Sequence, residues 1–323
     1  QVTVTLSGDA SASQDVKDGG RYSFTVEYGG SYIVTPSKTG YHFSPSNFTV
    51  NNISADQTQN FNASQKNYMI SGTIAGAAIV TIRLSGDKTD TRTVMNDGES
   101  YSFAVGEGGS YTITPSKTGY TFNPASKTFT NIDANQVVNF TATQITYTIT
   151  GTVSGADGIT LFVTGDGAAS QTVNNNDTYS FTVVHAGNYT ITPEKAGYVF
   201  TPSSKSFTNI ASNQSQNFTA AMITFTLTGS IIGADGVTVT LRGDASGSQT
   251  VNSGGSYSFT AAYGGSYTVT PSRIGYFFLP ANASFANITS NQTQQFTGYQ
   301  IGKIAFILNG SIYSINSDGS NKI

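Results

Sequence analysis

The chain has no cysteine and no tryptophan, and only two histidines, eight prolines and 10% charged residues in 323. Each scarcity excludes something. Without cysteine there are no disulfides, no cysteine-ligated zinc and no thiol nucleophile. His42, in an extended strand, and His185, in a hairpin turn, occupy different positions of the repeat described below, so neither a Ser-His-Asp arrangement nor a histidine metal cluster can recur with it. The net charge is −3 and no basic run stands out, which argues against nucleic acid and anionic membrane as partners. The apolar runs are too short to cross a bilayer, so no membrane insertion is expected in this segment. Gln1 does not open a signal peptide, and any targeting segment lies outside the chain as given. What is abundant is Thr, Ser, Asn and Gly, with 18 Tyr and 20 Phe. That mixture favours strands and turns and has an extracellular or cell-surface character.

The organisation is a fourfold repeat. Tyr-Ser-Phe begins at Tyr22, Tyr101, Tyr179 and Tyr257, with spacings of 79, 78 and 78 residues. Gly-Asp recurs at Asp9, Asp87, Asp166 and Asp244. "SYIVTPSKTGYHF" (31–43) returns as "SYTITPSKTGYTF", "NYTITPEKAGYVF" and "SYTVTPSRIGYFF". Each copy closes on Phe61, Phe140, Phe218 or Phe296. A period near 78 is too long for a solenoid and suits a small complete β-sandwich.

The expected fold is therefore all-β: four tandem Ig-like or prealbumin-like sandwiches of seven strands in a rod. The boundaries are 1–65, 66–143, 144–221 and 222–299, with a strand or hairpin tail at 300–323. The third copy reads as strand A "ITYTITGTV", B "ITLFVTG", C "SQTV", D "TYSFTVV", E "NYTITPEKAGYVF" with its extension, F "KSFTNI" and G "SQNFTA". Alternation puts Tyr179 and Phe181, Tyr189 and Ile191, and Tyr198 and Phe200 toward the core. Pro193 belongs at an edge or end of its strand, and Gly197 at a bend with positive φ.

The pattern G-x-Y-x-F … G-x-Y-x-I-T-P-x-K-x-G-Y resembles the carboxypeptidase regulatory-like and SdrD B-like group of prealbumin-type sandwiches, over about residues 1–300. The resemblance implies a bacterial or archaeal surface protein in which such domains form a stalk. It also raises a Lys–Asn isopeptide crosslink, known in some relatives. The recurrent Lys38, Lys117 and Lys195 become Arg273 in the fourth copy, which cannot form that bond.

The ends do not match. Copies 2 to 4 open with a full strand A, whereas "QVTVTLSGD" aligns with the strand B segment "GVTVTLRGD" (236–244). The first copy thus lacks strand A. The tail "IAFILNGSI" (304–312) matches the strand A segment "ITFTLTGSI" (223–231). Two readings account for this. In one, the chain is a fragment whose preceding residues supply strand A. Its tail, "KIAFILNGSIYSINSDGSNKI", then resembles the first strands of a TolB-like propeller blade. In the other, the tail of one chain completes the first sandwich of the next, head to tail, through an interface strand bearing Ile304, Phe306, Leu308 and Ile312.

No catalytic, cofactor-binding or metal-ligating residues are assigned, and no cofactor is expected. The Gly-Asp pair is too thin a ligand set for calcium and reads as a turn. Arg242-Gly243-Asp244 spells an adhesion triplet, but the other copies show its Gly-Asp to belong to the repeat. Sequons such as those at Asn139, Asn188, Asn217 and Asn287 follow from an Asn- and Thr-rich composition. The expected function is a non-enzymatic extracellular stalk or filament subunit. The alternative is an adhesin or carbohydrate-binding module, with a cell-surface or glycan ligand at the Tyr-bearing loops "EYGGSY" and "AAYGGSY".

Overall fold

The computed structural model describes residues 1–308 and 310–316. Every regular element among them is a β-strand. The chain divides into two compact units, Gln1–Thr146 and Tyr147–Ile323, each holding two copies of the repeat.

In the fourth copy the strands are A (Thr224–Ile232), B (Val237–Gly243), C (Gly247–Val251), D (Ser256–Ala262), E (Tyr267–Ser272), a short return strand E′ (Tyr276–Leu279), F (Ala283–Phe285) and G (Phe296–Gln300). One sheet has the order D-A-G-E′, with a two-residue bridge, Gln292–Thr293, also on A. The other has the order C-B-E-F. Strand A is antiparallel to D (Gly229 opposite Tyr257) and parallel to G (Ile231 opposite Phe296). The second and third copies repeat this arrangement. Each of these three copies encloses its own apolar core between its two sheets.

The alternation explains the packing. In the third copy Tyr179, Phe181 and Val183 on strand D (Thr178–Val184) are buried while Ser180 and Thr182 are exposed. Tyr189 and Ile191 are buried on E (Tyr189–Glu194). Tyr198 and Phe200 are half-buried at the edge of the same core. Pro193 is buried opposite Leu161, beyond the last residue that F contacts, so its missing N–H interrupts no ladder. Gly197 has φ +80°.

Two expectations need correction. Strand E and its extension are not one strand: the chain turns at Lys195–Gly197, and E′ (Tyr198–Thr201) joins the opposite sheet beside G. The alternation of a single segment cannot reveal that it changes sheet. His185 is likewise not in a hairpin. Strand D lies beside A and strand E beside B, so the D–E connection crosses between sheets.

The first copy departs from the others. It has B (Val2–Gly8), C (Ala12–Val16), E (Tyr32–Ser37), E′ (Tyr41–Ser44), F (Phe48–Val50) and G (Asn62–Gln65), and no strand A. Its second sheet shrinks to the pair G–E′. The D segment, residues 21–27, has no ladder partner and is not a strand. Its core comprises five buried residues where the other copies have 15 or 16, because Tyr22, Phe24, Val26 and Phe61 are only partly covered.

Candidate functional site

The histidines and the recurrent Asp, Lys and Asn each have a definite place in the fold. His42 is exposed on E′. His185 is half-buried with its ring 6.0 Å from Tyr147, and its Nδ1 has no partner among the described residues. The recurrent Asp is a clamp: in each copy its carboxylate accepts the backbone N–H at the start of strand E (Ser31, Ser110, Asn188, Ser266) at 2.7–2.9 Å. Asp244 of the Arg-Gly-Asp triplet does this like its counterparts. Lys38, Lys117, Lys195 and Arg273 lie over Tyr41, Tyr120, Tyr198 and Tyr276, a cation–π contact that Arg and Lys both make. That contact explains the recurrent cation with no need of a crosslink. Asn139 and Asn217 accept the backbone N–H of Thr73 and Thr152. Among the described residues no cluster of acidic or histidine side chains could hold a metal ion.

The Tyr-bearing loops differ in role. Within the unit 147–323, Tyr263 of "AAYGGSY" sits at the joint between the third and fourth copies. Its N–H donates to the Ile223 carbonyl and its ring lies 6.4 Å from Phe225. In the unit 1–146 the same position is Glu107, which pairs with Lys66 at 3.3 Å. Tyr28 of "EYGGSY" is 83% exposed.

The first copy differs from the others in the space beside its D segment. In the complete copies a buried tyrosine on D reaches beneath strand A and donates to a carbonyl just before G. The pairs are Tyr101 to Val138 (2.7 Å), Tyr179 to Gln216 (2.5 Å) and Tyr257 to Gln294 (2.6 Å). In the first copy Tyr22 donates to Gln59 at 2.8 Å, although no strand lies between. The Tyr22–Phe61 ring separation is 6.0 Å, against 6.1–6.2 Å for the equivalent pairs. The far edge of the D segment is held as well: Ser23 N–H donates to Gln14 Oε1 at 3.1 Å, as Ser180 does to Gln171 and Ser258 to Gln249. The segment thus keeps its place, and a slot one strand wide remains, floored by Tyr22, Phe24, Val26 and Phe61.

What the slot requires is visible in the filled copies. Strand A carries a glycine where the tyrosine passes: Gly72, Gly151 and Gly229. A Cβ on any of them would stand 1.7 Å from the carbonyl oxygen of Val138, Gln216 or Gln294. Reading the sequence for core aromatics missed these glycines. The available signal was a glycine interrupting each Thr- and Ile-rich strand at one fixed place, the mark of close backbone approach.

The tail was singled out for Ile304, Phe306, Leu308 and Ile312. Here Lys303–Leu308 pairs antiparallel with Ser311–Asn316 of the same chain. Ile312 and its cross-strand partner Ile307 are exposed. The side chains of Ile304, Phe306 and Leu308 lie outside the described residues, as does the end of the propeller-like segment.

Burial raises the Tyr22 and Tyr101 phenols and pushes those of Tyr179 and Tyr257 up to about 12. An unfolded tyrosine ionises near pH 10. The folded state therefore holds these protons more tightly, and that stabilisation is complete below about pH 10 and lost as pH rises toward about 12. A spectrophotometric titration followed in parallel by circular dichroism should show a late tyrosinate fraction appearing together with unfolding. Titration of all 18 tyrosines as one class near pH 10 would contradict the buried hydrogen bonds.

No family model matches the chain. The chitinase ChiA of Flavobacterium johnsoniae is 33% identical to it over 248 residues, 71% of this chain and 16% of the chitinase. The chain therefore spans about a sixth of that relative's length. Among solved structures, the TIE protein of Bacillus anthracis matches with a TM-score of 0.54 at 12% identity, over 93% of this chain and 69% of its own. BcpA, the major pilin subunit of Bacillus cereus, matches with a TM-score of 0.42 at 7% identity, over 73% of this chain and 100% of its own. The first likeness is one of fold, and the second is too loose to carry weight.

Proposed function

We propose that the chain is a non-enzymatic extracellular spacer, a stalk or filament subunit of the carboxypeptidase regulatory-like and SdrD B-like kind, extended head to tail by strand donation. The tail of one chain enters the slot of the next and becomes strand A of its first sandwich. What supports this reading is the match in sequence between the tail and strand A of the fourth copy. The slot needs apolar residues at alternate positions and a glycine where Tyr22 crosses. The tail offers Phe306, Leu308, Gly310 and Ile312 where strand A of the fourth copy has Phe225, Leu227, Gly229 and Ile231. Donation requires the tail hairpin to open, and an isolated two-stranded hairpin is marginal in water. A head-to-tail contact of this type does not close on itself and propagates.

Sedimentation velocity of the intact chain should show concentration-dependent growth, and Gly310→Val should leave a single small species with the circular dichroism of the four sandwiches intact. Equal growth of both proteins would remove strand donation from the account.

A second reading is favoured by the segment shared with a chitinase. In it the array is an accessory stalk within a larger secreted enzyme acting on polysaccharide, and the chemistry resides elsewhere in that protein.

A further inference from the structure

The outer face of the D-A-G-E′ sheet carries no Asp, Glu, Lys, Arg or His in the second, third and fourth copies, and in the second and third it is dominated by Ser, Thr and small residues. The fourth copy alone sets a large apolar island into this face. Phe277 and Leu279 point outward from E′, Tyr299 from G and Ile232 from A, and all four are exposed. At the positions of Phe277, Leu279 and Tyr299 the second copy has Thr121, Asn123 and Thr143, and the third has Val199, Thr201 and Ala221. The fold does not require the island, since two copies stand without it.

Its geometry is specific. Phe277 and Tyr299 are direct cross-strand partners with rings 5.3 Å apart and 19° from parallel. Leu279, Thr297 and Ile232 form the next row across three strands. Gln295 and Ser230, hydrogen-bonded at 3.2 Å, continue the face in the following row. The surface thus combines a stacked aromatic pair, an aliphatic row and a border of neutral hydroxyl and amide groups that both donate and accept. Exposed apolar patches of this kind mark interaction sites.

We propose that this face binds a neutral polysaccharide. The ring surface that the stacked pair leaves exposed packs against the C–H faces of sugar rings, and the amide and hydroxyl border meets their hydroxyls. With no ionic side chain on the sheet face, it offers nothing to select an acidic or basic ligand. A protein partner is the poorer fit, because a stable protein interface needs a larger patch than these four side chains supply. The assignment rests on the residues of the fourth copy and on neither functional reading above.

The test is co-sedimentation of the intact chain with insoluble chitin and with cellulose, and gel retardation in alginate as the anionic control. The variant carries Phe277→Thr and Tyr299→Thr, the residues that the second copy tolerates at both places. The expected result is retention on at least one of the two neutral polymers, none in alginate, and a drop of at least tenfold in the bound fraction for the variant with unchanged circular dichroism. Three results would overturn the assignment: no retention of the wild type on either neutral polymer, equal retention of the variant, or a dimer in solution that the variant dissolves, which would make the face a contact between copies. If the variant's circular dichroism changes, Leu279→Thr alone, the residue of the third copy, is read in the same assay, with lost retention supporting and unchanged retention opposing the assignment.

Discussion

Replacing Gly151 by valine should unfold the third sandwich, at an expected cost of about 4 kcal/mol or more. The new Cβ would meet the Gln216 carbonyl oxygen at 1.7 Å and Tyr179 Cε1 at 2.9 Å. One obstacle is backbone just before strand G and the other a ring fixed in the core, so no rotamer relieves the clash. Relief requires parting A from G or expelling Tyr179, and either opens the core. Gly167→Ala is the control: its Cβ would find its nearest neighbour, Tyr189 Cε1, at 3.4 Å, and a change within about 1 kcal/mol is expected. Calorimetry of the whole chain reads the first variant as a lost or strongly lowered transition. Exchange mass spectrometry should place the loss of slow amides within residues 146–222.

Truncating the tyrosine from the other side should be nearly as damaging. Tyr179 is 1% exposed, packs on Phe181 and Phe218 and satisfies the Gln216 carbonyl. Tyr179→Ala is expected to cost about 3–5 kcal/mol through the cavity left behind. Tyr179→Phe keeps the ring and loses the hydrogen bond, for about 1–1.5 kcal/mol. The equivalent Tyr22→Ala should cost clearly less, because Tyr22 is only partly covered where no strand A lies over it. The difference between the two alanine variants therefore measures what the covering strand contributes. Equal losses at both sites would mean that the slot is not open in solution.

The contrast between copies also explains what the sequence made legible. The repeat, the strand alternation and the inward aromatics are local patterns, and Tyr179, Phe181, Tyr189 and Ile191 lie where alternation puts them. Gly197 takes the positive φ that its turn requires. The absence of strand A from the first copy was legible too, by aligning "QVTVTLSGD" with a strand B. Sheet membership was not. Whether Tyr198–Thr201 continues E or crosses to G depends on partners about 20 residues away, and no local pattern encodes that. The role of Gly151 was hidden for a related reason. A glycine in a strand announces a close approach, but only the fold shows that Gln216 and Tyr179 make it. The loss of the first copy's D strand follows from the same non-locality: residues 21–27 match their counterparts, yet without A they have nothing to pair with.

Hydrogen exchange at the slot tests strand donation most directly. The account predicts that the amides of Tyr22, Phe24 and Val26, which face the slot, exchange rapidly in dilute chain and slow, as concentration rises, toward the rates of Tyr179, Phe181 and Val183, with no such change in Gly310→Val. Rapid exchange of those three amides at every concentration, with Tyr179, Phe181 and Val183 protected throughout, would contradict it.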